Sequence, residues 1–415
     1  MALTVLVIKE TAPHEARVSA TADTVKKMAA LGITVLVESG AGITAAIADE
    51  TYTAAGAKIV KDAATGLKDA DIVLCVQRPA SAVLDKLQDG ATVIGLLAPY
   101  QFASLLPAFE KKGASAVSLE LVPRITRAQS MDVLSSQANL GGYRAVIEAA
   151  ATYGRAMPMM MTAAGTIAPA KVFVMGAGVA GLQAIATARR LGAVVSATDV
   201  RMAAKEQVES LGATFVMVEN DETKQSETKG GYAKEMSDDY KRQQAALVSE
   251  TIKKQDIVIT TALIPGRPAP VLLSEDMVKT MKPGSVILDM AVEAGGNCPI
   301  SEKDKVVEKH GVTIIGYSNL PSRIPVDASA LYARNVFNVI ALMFNKDKNA
   351  IDFNFEDEIV KGFTLTHKGK AVHPLLAPKK TEAKTEVKAE DKAVPTVNGD
   401  TAKSSFKRKS VKEEG

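Results

Sequence analysis

The sequence predicts an α/β chain of two doubly wound parallel-sheet domains in tandem, joined by two long helices. Three observations carry the prediction. Residues 2–121 alternate short apolar runs with helix-like stretches. The unit Lys171–Asp199 reads as strand, glycine turn, helix and strand, with a further series of apolar runs behind it. Two long helical patterns, 133–155 and 327–345, follow the first and second series. Such alternation belongs to a parallel sheet covered on both faces, where strands read as continuous apolar runs. At 415 residues, 47% apolar and 23% charged, the chain can build two or three globular cores.

The opening MALTVLVIKE meets a charge at Lys9, too early for the apolar core of a signal peptide and without a basic lead, so it reads as a first strand. Helices are expected near 20–31, 44–55 and 81–88, and strands at ITVLVES, DIVLCVQ, ATVIGLL and ASAVSLEL. Gly90–Phe109 is uncharged for 20 residues but contains Pro99, Gln101 and Pro107, and resolves as strand, loop and helix rather than a membrane span. The 133–155 pattern then connects the domains, and Met157–Met161 is expected to pack between that helix and a sheet, since Met fills irregular gaps. In the second series VVSATD, TFVMV, DIVITTAL, SVILDM and VTIIGY are the later strands, and the 327–345 helix returns the chain. The expected division is therefore 1–132 with 327–377, then 133–326. A tail at 378–415, rich in Lys, Glu, Ala and Thr and almost without large apolar residues, is expected to be disordered.

Charge and composition exclude several functions. Residues 378–415 hold 10 Lys or Arg and 7 Asp or Glu, so the rest of the chain carries 40 of each and has no basic excess to attract nucleic acid. Cys75 and Cys298 are distant in sequence, and His14, His310, His367 and His373 lack ligand spacing, so neither a disulfide framework nor a metal site is expected.

The 171–199 unit is a dinucleotide fingerprint. Gly176 permits the turn after the strand, Gly178 lets the backbone approach a pyrophosphate, Gly181 lets the helix pack closely, and the helix N-terminus offers N–H groups to phosphate. Asp199 ends the second strand 18 residues after Gly181, where a carboxylate accepts from a ribose and repels a 2′-phosphate. That favours NAD, while Arg201 two residues on keeps NADP open. Ala177, Val179 and Val200 flank these positions and are assigned to the same site. The nucleotide is expected in the cleft between domains, at the carboxyl ends of the strands.

A dehydrogenase acting on an alcohol or amine needs a base to take a proton as hydride leaves. The first domain offers one histidine before the connecting helix, His14, which reads as a surface turn residue. The opening IKETAPHEARVSAT and the order of the domains resemble the alanine dehydrogenases and the NAD-binding subunit of proton-translocating transhydrogenase. The alanine dehydrogenases carry a catalytic lysine and histidine in stretches that here read Cys75-Val76-Gln77-Arg78-Pro79 and GLLAPYQ at 95–101, without either residue. The segment RITRAQSMDVLSSQANLGGYRA, 124–145, resembles instead the transhydrogenase signature loop.

That resemblance covers residues 1 to about 377. It implies Si-specific hydride transfer from NADH on this chain to NADP+ on a partner, directly between two nicotinamide C4 atoms, for which no base is required. It places the loop's Arg, Gln and Asp on Arg124, Gln129 and Asp132, with Ser135 starting the next helix and Arg127 beside them. Gln129 can hold a carboxamide, Arg124 can steer ring or phosphates, and Asp132 can accept from a ribose or lock Arg124. The plainer reading is a helix entry capped by Asp132 or Ser135. Within the long charged segment 220–244, Gly231 and Tyr232 resemble a loop that folds over bound nucleotide. Ala262 and Leu263 lie where the nicotinamide half should pass. The resemblance further implies a homodimer of this chain, an NADP-binding subunit and membrane-spanning subunits as separate partners since the chain stops at Gly415, and a cytoplasmic chain held at the inner membrane through them. The basic FKRKSVK end could touch lipid, or the tail could be a spacer. Two alternatives stand beside this reading: a soluble amino-acid dehydrogenase of the alanine dehydrogenase type, and a non-catalytic NAD-binding regulator.

Overall fold

Strands β1 (Thr4–Val7), β2 (Thr34–Glu38), β3 (Lys58–Val60), β4 (Ile72–Leu74), β5 (Thr92–Gly95) and β6 (Ser115–Ser118) pair in parallel in the order β3-β2-β1-β4-β5-β6. This order and everything below come from a computed structural model that describes residues 2–218 and 237–376, with only the backbone of Lys241. The Gly231–Tyr232 pair, most of the charged segment around it and the 378–415 tail lie outside the described residues. Strands β4, β5 and β6 are buried along their whole length, as apolar runs covered on both faces must be.

The chain leaves this lobe through a helix at Val133–Thr152 and makes a hairpin, β7 (Met160–Thr162) with β8 (Gly165–Ile167). It then builds a second sheet from β9 (Lys171–Met175), β10 (Val194–Thr198), β11 (Thr214–Phe215), β12 (Ile257–Thr260), β13 (Val286–Asp289), β14 (Val306–Lys309) and β15 (Val312–Ile315). The order is β11-β10-β9-β12-β13-β15-β14, parallel except for the edge strand β14. In both sheets the winding reverses beside the first strand of the series, and the crevice at that reversal is where doubly wound folds hold ligands. A helix at Pro325–Met343 returns the chain to the first lobe. The short pair β16 (Phe344–Asn345) and β17 (Ala350–Ile351) follows, then β18 (Thr364–His367) and β19 (Lys370–Ala371) extend the first sheet antiparallel beyond β6.

Each long helix is core material for the lobe it enters. The connecting helix buries Ala145, Val146 and Ala149 among Val172, Val174 and Ala184 of the second lobe. The return helix buries Tyr332, Val336, Val339 and Ile340 among Val5, Val35 and Leu74 of the first. Gly142 is required here because a Cβ would run into the backbone carbonyl of Ala180, so the connecting helix meets the 179–190 helix at backbone contact.

The methionine cluster departs from expectation. Met157 is buried, but Met159, Met160 and Met161 are 59%, 40% and 79% exposed because they ride on the β7–β8 hairpin, which stands off the sheet. Gly90–Phe109 resolves as β5, a 3-10 turn (Pro99–Ser104) and the start of a helix (Leu106–Lys112), and no helix among the described residues is long and apolar enough to cross a membrane.

Candidate functional site

The glycine turn sits at the carboxyl end of β9, at the reversal between β9 and β12. Gly176 has φ +106°, a conformation that disfavours any Cβ, and the Thr261 hydroxyl donates to its carbonyl at 3.1 Å. A Cβ on Gly181 would collide with that same Gly176 carbonyl, so the 179–190 helix packs directly on the turn. Gly178 is different. It is the N-cap of that helix, offers no side-chain cap, and a Cβ there would enter open space. An uncapped helix start facing open space beside an acid-tipped second strand has the chemistry for a pyrophosphate.

Asp199 is almost buried, its side chain 7% exposed. One oxygen accepts from the Ala177 backbone N–H at 2.7 Å, tying the acid to the glycine turn. The other accepts from the Arg201 N–H and Nε at 2.8 and 2.9 Å, and Arg201 also donates to the first oxygen at 3.1 Å. The arginine is thus folded onto the acid, and that pairing holds the guanidinium more firmly protonated. Val179 and Val200 are exposed at this rim, an apolar edge beside the polar turn.

Sequence reasoning missed Gln244. Its Nε2 donates to the Thr198 hydroxyl at 3.0 Å and its Oε1 accepts from Val218 N–H at 2.9 Å, so it pins both the end of β10 and the chain entering the 219–236 segment. It also missed Asn297 and Asp289. Asn297 is wholly buried, and its amide bonds both backbone groups of Ala262. Asp289, equally buried, accepts from Ser301 Oγ at 2.7 Å, from Thr260 Oγ1, and from the backbone of Ala291, Asn297 and Cys298. Neither position carries a motif, since their roles depend on strands that pair only in three dimensions. Past Ala262, Leu263 is 58% exposed at the crevice rim.

The 124–135 loop is held from behind and open in front. Ala128 and Met131 are buried, Asn335 and Asn338 of the return helix both donate to the Ser130 carbonyl, and Arg127 makes a two-pronged pair with Asp357 at 2.7 and 2.6 Å. Arg124 and Gln129 project outward. Asp132 is the N-cap of the connecting helix, accepting from the Ser135 N–H at 2.9 Å and hydroxyl at 2.6 Å. The helix therefore begins at Val133, ahead of Ser135, and Asp132 is engaged by Ser135 rather than locking Arg124.

At the floor of the cleft the lobes are bolted together. Arg17, 3% exposed, makes a two-pronged bond to Glu15 and donates to Gln137 of the connecting helix at 2.8 Å and to Asn319 at 3.0 Å. Glu15 also accepts from Gln77 and Asn319, both at 2.9 Å. Burial alone would raise the Glu15 pKa, but the Arg17 guanidinium outweighs it and pulls the carboxyl down to about 2. Neighbouring Glu10 accepts from the Val76 N–H at 2.5 Å, yet burial, aided by the charge on Glu15, pushes it up to about 7. Gln77 thus places a neutral, hydrogen-bonded amide at the end of β4, and His14 is a surface turn residue with φ 59°, 3.7 Å from Asp304 of the second lobe.

Comparison with known proteins agrees with this architecture. Residues 6–141 match the Alanine dehydrogenase/PNT N-terminal domain and residues 145–374 its C-terminal domain. The chain is 53% identical over 373 residues to an NAD(P) transhydrogenase alpha subunit of Rhodospirillum rubrum, covering 89% of this chain and 97% of that protein. A crystal structure of transhydrogenase from Sinorhizobium meliloti superposes with a TM-score of 0.81 at 53% identity, over 89% of this chain and all of that one. Alanine dehydrogenase of Methanococcus maripaludis stands further off, 28% identical over 328 residues, with 76% and 80% of the two chains covered. The chain therefore belongs to the alanine dehydrogenase/PNT family and, within it, to the NAD(P) transhydrogenase alpha subunits.

Proposed function

We propose that this chain binds NAD(H) along the Gly176–Gly181 turn and exchanges hydride with NADP(H) carried by a separate partner subunit, in a complex that couples the exchange to proton movement across a membrane. The observation that carries the reading is a complete dinucleotide turn facing a cleft floor in which Gln77 contributes an amide rather than a base. Hydride leaves C4 of NADH, which becomes NAD+, and adds to C4 of NADP+, which becomes NADPH. Two electrons and one hydrogen nucleus move together, and no proton is released or taken up at either ring. The site has only to orient two rings, which is a task for amides and hydrogen bonds.

In this reading Gly176, Ala177, Gly178, Val179 and Gly181 cradle the pyrophosphate. Asp199, Val200 and Arg201 face the adenosine, while Ala262 and Leu263 back the nicotinamide. Gln129 holds the carboxamide, Arg124 steers the ring from the opposite lobe, and Asp132 with Ser135 fixes that loop. Arg127 joins the binding groups only by leaving Asp357. Gly231 and Tyr232 close over the nucleotide. The Si-specific geometry, the peripheral attachment to the inner membrane and the partner-held NADP belong to the same proposal. A second copy of this chain is the occupant proposed for the hairpin, whose exposed Met159–Met161 would otherwise face water.

The chain alone should quench with NADH, oxidise no amino acid, and transfer hydride to an NADP analogue only when mixed with an NADP-binding domain of a transhydrogenase. Oxidation of alanine by the isolated chain would overturn the reading. Replacing Met161 with Asp should lower the mass measured by light scattering from dimer to monomer, and an unchanged mass would remove the hairpin from the dimer interface.

A further inference from the structure

We infer that Asn297 is a positioning residue for the nicotinamide half of the bound nucleotide, its buried amide stapling the two ends of the 262–270 loop. The inference rests on the proposed function. The Ala262 N–H donates to Asn297 Oδ1 at 3.1 Å, while Nδ2 donates to the Ala262 carbonyl at 2.9 Å and to the Pro270 carbonyl at 2.8 Å. The side-chain amide thus stands where a neighbouring strand's peptide group would, at the point where β12 has run out of partners. Residues 263–269 contain Pro265 and Pro268, which cannot donate to a ladder, and Gly266 at φ +70°. No regular pairing can therefore hold this loop, and the staple does so instead.

Asn297 is itself fixed on every side. It is fully buried, its N–H donates to Asp289 Oδ1 at 3.1 Å, and its carbonyl accepts from Leu272 and Leu273 at 2.8 and 3.1 Å. Asp289 also holds Thr260, the last residue of β12, so one buried carboxylate references both the strand and the staple. At the far end Gly266 lies against the Tyr100 ring of the first lobe, where a Cβ would stand 2.6 Å from the ring. A loop clamped at its base and touched at its tip presents Leu263 and Ile264 at the rim in one geometry. A nucleotide with its pyrophosphate on the 176–181 turn reaches this rim through its nicotinamide end, because β12 neighbours β9 across the reversal. Only an amide serves, since it supplies the acceptor for one N–H and the donors for two carbonyls.

The test uses the full chain with Asn297→Ala and Asn297→Asp, and compares NADH with ADP-ribose, which lacks the nicotinamide, by calorimetry. ADP-ribose affinity should stay within about twofold of wild type. NADH affinity should fall about tenfold, and hydride transfer at saturating NADH, measured with the NADP-binding domain, by about tenfold or more. A general loss of structure would weaken both ligands together, and that result, like unchanged NADH affinity and turnover, overturns the inference. Should neither variant fold, amide exchange of the nucleotide-free wild-type chain decides: the Ala262 N–H should exchange at least about a hundredfold more slowly than a free amide, and free exchange overturns the staple. Failure of the functional reading is separately visible as absent hydride transfer in the wild-type mixture, while the ratio of NADH to ADP-ribose affinity still reads the loop.

Discussion

Gly178 and Gly181 stand three residues apart and answer to different constraints. Gly181→Ala drives a methyl into the Gly176 carbonyl, backbone against backbone, and should cost about 1–3 kcal/mol in thermal or denaturant unfolding. Gly178→Ala meets open space at φ −75°, so stability should change by less than about 0.5 kcal/mol. Yet the methyl stands where a phosphate would approach, and NADH titration should show weaker binding. At the second strand, Asp199→Asn removes the charge that Arg201 neutralises. The freed guanidinium should then shift the ratio of NADPH to NADH affinity upward by about tenfold or more, as a charged hydrogen bond of about 1.5–3 kcal/mol allows. Glu10 and Glu15 set opposite pH responses. Glu15, pulled to about 2, stabilises the fold above its ordinary value of 4.5, and that contribution is lost as pH falls from there toward 2. Glu10, raised to about 7, favours the protonated folded state, so its contribution is lost as pH rises from 4.5 through 7. The melting temperature should therefore decline between pH 5 and pH 7.5 in part through Glu10, and Glu10→Gln should flatten the curve over that window.

At the scale of elements, the connecting helix and the fingerprint helix are set by Gly142. Gly142→Ala should cost about 1–3 kcal/mol and weaken NADH binding as well, because the contact it breaks is with Ala180, inside the nucleotide turn. Strands buried on both faces, such as β5, β12 and β13, are legible as apolar runs. β3 and β14 are not, because a three-residue strand and an exposed edge strand carry too little apolar signal. The methionines mislead for the opposite reason: apolar composition says nothing about which chain an apolar group packs against. In the site, the glycine turn and Asp199 are visible because their spacing is local. Gln244, Asn297 and Asp289 are not, because each acts on backbone groups 26 to 46 residues away or on both ends of a loop.

The whole molecule is held together by the polar floor around Arg17. Removing the arginine leaves Glu15 charged and buried, so Arg17→Ala should cost about 3–5 kcal/mol, and a second change, Glu15→Gln, should restore part of that loss in a double-mutant cycle. Because Gln137 and Asn319 belong to the same network, the penalty should appear as looser coupling of the lobes, measurable as two separated calorimetric transitions where the parent shows one.

The exchange of long helices between lobes has a consequence in time. During synthesis the first six strands leave the ribosome early, but Tyr332, Val336, Val339 and Ile340, which cover one of their faces, are some two hundred residues behind. Until they emerge, that face is bare and the outer side of β6 has no β18 beside it. The N-terminal lobe is therefore the first to be made and cannot be the first to finish, leaving a growing chain with an aggregation-prone surface that only its own later portion can cover.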